Sequence, residues 1–220
     1  SLDSTCQAYF AFQKESRSMN KDRTPFIRRL GTKRYNRLFL IVAEGRCTER
    51  EYFEGCIKPL ANAIVDVVVK AGGTRTSPKQ TLLRMKREIR KRSLGELDET
   101  WLVVDVDDWK PEDLNELVQW TVTISKDKCT RAVAISNPCF EYWLLLHFED
   151  GANLKGSQNL KERLERVLPG YDKHITPALF TRERIDAAVR RAKSKDVAKE
   201  TWPQMTGSHA YKLVTAILAG

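Results

Sequence analysis

Four apolar runs set the rhythm of the chain. They are Leu38-Phe39-Leu40-Ile41-Val42-Ala43, Ile64-Val65-Asp66-Val67-Val68-Val69-Lys70, Trp101-Leu102-Val103-Val104-Asp105-Val106 and Arg131-Ala132-Val133-Ala134-Ile135-Ser136. Short, nearly continuous, β-branched runs predict strands buried on both faces, as in a parallel sheet. Helix signals fall between them. Thr48-Glu49-Arg50-Glu51 reads as a capping box, with Thr48 as N-cap, and predicts a helix over 49–61. Gly72-Gly73-Thr74 breaks the second strand. Ser77 and Pro78 then open a basic helix to about residue 92. Pro111 starts a third helix, to about 125, and Pro138 precedes a fourth over 140–148. Strand and helix alternate, which predicts an α/β fold: a mostly parallel four-stranded sheet flanked by helices over 38–150. Beyond Asp150 no strand is expected. Residues 159–168, 181–194 and 209–218 read as amphipathic helices, so 151–220 is expected to be a helical extension packed on the core.

The first 37 residues look different. Residues 1–18 differ in composition from the rest and precede Met19, so they read as an artificial or upstream-translated extension with the native start at Met19. Residues 19–37 are strongly basic, with Lys21, Arg23, Arg28, Arg29, Lys33, Arg34 and Arg37. They read either as a nucleic-acid-binding arm or as a solvated leader.

Composition adds a partner class. The chain has 220 residues, 41% hydrophobic and 30% charged, enough for a sizeable core. Lys plus Arg number 38 against 29 acidic residues, a net charge of +9. That excess favours an anionic partner such as nucleic acid, with a merely solvated surface as the alternative. No apolar run approaches the roughly 20 residues that span a bilayer, so no membrane partner is expected. Five cysteines, odd in number and without a C-x-x-C pair, argue against a disulfide framework or a zinc site and fit a reducing, cytoplasmic setting.

The candidate chemistry lies where the strands end. Ligands of open α/β sheets bind beyond the carboxyl ends of the strands. Glu44 stands one residue past the first run, and Gly45 permits a sharp turn after it. Glu49 falls in the first helical turn, where it either returns to the same crevice or serves the helix dipole. Asp105 and Asp107 flank Val106. In a strand they would share a face about 7 Å apart, suited to one hard cation. Asp108 follows, either turned away or contacting through water. Acidic residues there would also suit a turn. The segment Ser136-Asn137-Pro138-Cys139-Phe140-Glu141-Tyr142-Trp143-Leu144-Leu145-Leu146-His147-Phe148 contributes Glu141 as a site candidate and His147 as a packed structural histidine. Arg46, Lys79, Arg84 and Arg87 are the candidate phosphate contacts, with a solvated helical face as the alternative. Carboxylates at the sheet edge of a basic chain suggest a Mg²⁺ site acting on a phosphate polymer.

These segments, with Val42-Ala43-Glu44-Gly45-Arg46-Cys47-Thr48-Glu49-Arg50-Glu51-Tyr52-Phe53, Val103-Val104-Asp105-Val106-Asp107-Asp108 and Tyr171-Asp172-Lys173, resemble the RloB family of Toprim-like proteins. The Ser136–Phe148 block is the most distinctive part. The resemblance implies a Toprim-like α/β fold and a Mg²⁺- or Mn²⁺-dependent nuclease acting on DNA or RNA. Family members look like effectors of bacterial anti-phage, abortive-infection systems, encoded beside an ABC/SMC-like ATPase. Carried onto this chain, the resemblance makes Glu44 a metal ligand or acid–base group, and Asp105 and Asp107 metal ligands. Asp108 fits the family's run of acids. Glu49, Glu141 and His147 match motif positions without an assigned role. The segment Thr206-Gly207-Ser208-His209 departs from the family pattern. Two other readings stand beside the nuclease. One is a non-catalytic module on a Toprim-like scaffold that binds nucleic acid or an ATPase. The other is phosphoryl transfer of the primase type, for which so short a chain shows no polymerising apparatus.

Overall fold

The computed structural model describes residues 37–68, 77–107, 109–124, 128–196 and 200–219. The proposed extension and most of the basic arm lie outside the described residues, as does Asp108. Strand β1 spans Leu38–Ala43, β2 Ile64–Val68, β3 Glu99–Asp105, β4 Thr130–Asn137 and β5 Gly207–Ser208. The helices are α1 (Thr48–Glu51), α2 (Pro78–Arg90), α3 (Pro111–Val122), α4 (Phe140–Leu145), α5 (Gly156–Val167), α6 (Arg182–Lys195) and α7 (Ala210–Ala219).

The sheet order is β2-β1-β3-β4-β5, with the first four strands parallel and β5 antiparallel to β4. Each apolar run alternates between two cores. Phe39, Ile41, Ala43, Trp101 and Val103 face one side, against Tyr52, Phe53 and the C-terminal helices. Leu40, Val42, Leu102 and Val104 face the other, against Leu82 and Met85 of α2 and Leu114 and Leu117 of α3. Leu160, Ile185 and Leu213, one each from α5, α6 and α7, belong to the first core.

The chain leaves β1 toward β2 over the first face and leaves β3 toward β4 over the second. Neighbouring strands whose connections diverge in this way open a crevice at their carboxyl ends. Glu44 follows β1, and Asp105 ends β3.

Three local expectations change. The helix expected over 49–61 is a single α turn, then a π turn over Tyr52–Ile57 and a 3-10 turn over Lys58–Leu60. The wider π turn keeps Tyr52, Phe53, Cys56 and Ile57 all buried, and Pro59 cannot continue an α-helical ladder. The capping box does not form. Cys47 is the N-cap without a side-chain bond, and both box residues serve a distant loop instead. The sheet has a fifth strand where none was expected, because a two-residue Gly-Ser strand has no hydrophobic pattern to read. Ser77, by contrast, caps α2 as expected, accepting from Gln80 N–H at 3.3 Å.

Candidate active site

The carboxylates gather at the crevice between β1 and β3. Glu44 N–H donates to Val103 O at 2.9 Å, which ties the end of β1 to β3. Asp105 pairs across the sheet with Ser136. Asp107 does not alternate with Asp105 along a strand. The strand stops at Asp105, and Asp107 turns with φ +38°, its N–H donating to Pro138 O at 3.0 Å. A left-handed, exposed aspartate is a turn residue held by the β4–α4 connection.

Burial and like charge set the electrostatics. Burial pushes the Glu44 carboxyl up to about 7. The Asp105 backbone N–H opposes this, and the charges of Asp107 and Glu49 add to it. Burial also lifts Glu49 to about 7, with Glu141 adding repulsion and Lys173 offsetting it. The Asp105 carboxyl is held well above the ordinary range, by burial first and then by Glu49, Glu141, Asp107 and Glu44. Each acid therefore feels the others. Asp105 Oδ1 is buried with no hydrogen-bond partner among the described residues. Such an atom normally costs stability.

Glu49 is packed onto the turn. Its Oε1 accepts from Gly45 N–H at 3.1 Å. A Cβ on residue 45 would overlap the Glu49 carboxylate, so a larger residue there would displace that side chain from its bond to the Gly45 N–H.

Glu141, at the start of α4, differs from the other acids. Burial would raise its carboxyl, but the charge and hydrogen bond of Lys173 bring it below the ordinary value. Tyr171 O–H donates to the same oxygen at 3.2 Å. The 171–175 loop is latched from α1. Thr48 Oγ1 donates to Lys173 O at 2.7 Å and lies 3.0 Å from Tyr171 Oη, while Glu51 accepts from Ile175 N–H at 2.9 Å. Lys173 is itself left-handed, with φ +81°, the kind of backbone strain that clusters at functional sites. Sequence reasoning assigned no role to Thr48, Tyr171 or Lys173 here. The signal available was the presence of Thr48 and of Tyr171-Asp172-Lys173 in the family segments.

His147 lies outside the site. It is 2% exposed, and rings of Tyr52, Trp143, Phe148 and Phe180 surround it. Its Nδ1 faces the Trp143 and Leu144 carbonyls at 2.9 and 3.2 Å, so that nitrogen carries the proton and Nε2 accepts from Tyr52 O–H at 3.0 Å. Burial lowers its pKa to about 3. The basic candidates split. Arg46, Lys79 and Arg87 are exposed, and Arg84 is buried.

A family model described as RloB-like protein matches residues 39–217. The chain belongs to the RloB-like family. The match covers every described strand except the first residue of β1, and all of the carboxylates above. No curated protein and no solved structure matches the chain. Among the described residues, no helix is long and apolar enough to cross a membrane. Cys47, Cys56, Cys129 and Cys139 form no disulfide among the described residues. No three His, Cys, Asp or Glu side chains among the described residues stand close enough together to hold one metal ion. The expectation that Asp105 and Asp107 converge from one strand face is thus replaced by a turn geometry.

Proposed function

We propose that this RloB-like protein is a nuclease that hydrolyses phosphodiester bonds in DNA or RNA with Mg²⁺ or Mn²⁺ as cofactor. The observation that carries the reading is the gathering of Glu44, Glu49, Asp105, Asp107 and Glu141 at the switch-point crevice of a chain with net charge +9. The chemistry of the donor set suits a hard divalent cation: all of it is carboxylate oxygen, its members repel one another, and Asp105 Oδ1 has no donor among the described residues. Glu44, Asp105 and Asp107 would hold it by drawing closer together as the cation neutralises their repulsion, and Asp108, next in the sequence, is a further candidate. When bound, the ion supplies Lewis-acid polarisation of the phosphate and a water of lowered pKa.

The chain's own residues supply the rest. Glu44, with a pKa near 7, is suited to take up or release a proton at neutral pH. Glu49 stays pinned on the turn that carries Glu44, which orients the first carboxylate. Lys173 offsets Glu141 and lowers the summed negative charge facing a phosphate. Arg46, Lys79, Arg84 and Arg87 provide sequence-independent phosphate contacts. The family resemblance supports a cytoplasmic anti-phage effector working with an ABC/SMC-like ATPase.

The separation of the described carboxylates favours a second reading, a binding module that recognises nucleic acid or an ATPase without cutting. The test is cleavage of DNA, total RNA and tRNA with Mn²⁺ or Mg²⁺, with and without the ATPase. The nuclease reading expects cleavage that Glu44→Ala and Asp105→Ala both abolish. Cleavage unaffected by either substitution, or salt-sensitive binding with no cleavage under any condition, would reject it.

A further inference from the structure

Arg84 is unlike every other cation on α2. Its neighbours Lys79, Arg87 and Arg90 are exposed, whereas Arg84 is 9% exposed. Side chains on a helix lean toward its N-terminus. Here that end lies at the carboxyl edge of the sheet, where the preceding parallel strand β2 also ends. The Arg84 guanidinium therefore reaches back to β1, and Nη1 donates to Ala43 O at 3.2 Å. That carbonyl is the one immediately before Glu44.

A buried guanidinium ordinarily has a carboxylate partner, because an uncompensated interior charge is costly. Arg84 forms no ion pair among the described residues. Burial lowers its pKa, the like charge of Arg87 adds to the effect, and Glu88 opposes it last. Nη1 has its single bond to Ala43. The remaining nitrogens make no hydrogen bond among the described residues and are not fully sealed from solvent. A fixed, always-charged fork is thus held at the end of β1 with donors to spare. Arginine forks match the two oxygens of a phosphate group.

We propose that Arg84 is the inner phosphate-binding residue of the crevice, anchored on Ala43 O and holding a backbone phosphate beside the carboxylates. This deepens the nuclease reading and rests on it for the identity of the ligand. Arg84 is a ligand-binding residue. Its bond to Ala43 O serves to aim the guanidinium.

The test uses the full chain without divalent cations, so that nothing is cleaved. Fluorescence anisotropy would follow short labelled DNA and RNA single strands across a salt series. Melting would be followed with and without inorganic pyrophosphate. Wild type would be compared with Arg84→Met, Arg84→Lys and Arg87→Met. Loss of a charge-assisted fork is expected to weaken strand binding by about tenfold or more, and to reduce the salt slope by about 0.7. Arg84→Lys should fall between, and Arg87→Met should lose about two- to threefold. Removing an unpaired buried charge should leave the melting temperature unchanged or higher. Arg84→Met that binds like wild type, or that melts lower with unchanged affinity, overturns the proposal. Should Arg84→Met fail to fold, Arg84→Lys decides: affinity equal to wild type overturns the proposal, and reduced affinity upholds it. Should wild type bind neither strand, the nuclease reading fails, and pyrophosphate decides Arg84 separately. A melting shift present in wild type and absent in the variant upholds the anion site; no shift in wild type overturns it.

Discussion

Two carboxylate-centred clusters in this molecule have opposite electrostatic characters. At the β1–β3 crevice, acids raise one another's pKa values, and Asp105 keeps a buried oxygen without a partner among the described residues. Near β5, Asp196 stands among hydrogen-bond donors. Tyr211 O–H donates to its Oδ2 at 2.7 Å, Lys212 Nζ does so at 2.9 Å, and His209 Nε2 stands 3.4 Å away. Burial would raise the Asp196 carboxyl, but the donors hold it below its ordinary value. One cluster ties α6 to the start of α7 and is complete within the chain. The other stores repulsion that Lys173 relieves only in part among the described residues, as expected of a site that takes a cation or other ligand.

The largest contrast should appear in activity. Glu44→Gln is expected to reduce metal-dependent cleavage by about a thousandfold while leaving the melting temperature within a few degrees. A parallel fall in activity and melting temperature would move Glu44 into the structural class and break the distinction. The next contrast is in stability, measured by urea unfolding. Asp196→Ala strands Lys212 beside His209 Nε2, 3.2 Å apart, and should cost about 2–3 kcal/mol. Asp105→Asn removes repulsion and should be neutral or stabilising. Equal losses at the two sites would contradict the account.

The smallest effect is in pH dependence. His147 has a folded pKa of about 3, and burial followed by Lys212 also depresses His209, against Asp196 and Glu200. A histidine whose folded pKa lies below its ordinary value takes up a proton more readily when unfolded. The histidines' contribution to stability is therefore complete above about pH 6.5 and declines below it, by at most about 1.4 kcal/mol per pH unit for each, against the opposite trend of Glu44, Glu49 and Asp105, whose raised pKa values favour the folded state as pH falls. His147→Gln should flatten that slope without changing cleavage at neutral pH. An unchanged slope would show that the ring already exchanges protons in the folded state.

The strands were legible because both faces of the sheet are covered, so β1 and β3 read as unbroken apolar runs. Glu44 and Asp105 were legible for a related reason: a charge at the end of such a run has no packing role. What escaped was set by distant contacts. Thr48 and Glu51 spell a capping box, yet their side chains bind the 171–175 loop, more than 120 positions away. Asp107 belongs to a turn because Pro138 O captures its amide, a contact no strand periodicity encodes. The π turn after Glu51 answers to the burial of four side chains and has no local sequence signal. Lys173 is an exposed lysine in a loop until the fold sets it against Glu141.

The most direct measurement is the melting temperature of the full chain titrated with Mn²⁺ and with Mg²⁺, for wild type, Glu44→Gln and Asp105→Asn. A cation that binds the folded crevice stabilises it by mass action, and no partner protein is needed for the readout. The account expects a concentration-dependent rise in wild type that both substitutions largely remove. No rise in wild type, or the same rise in all three proteins, would contradict it.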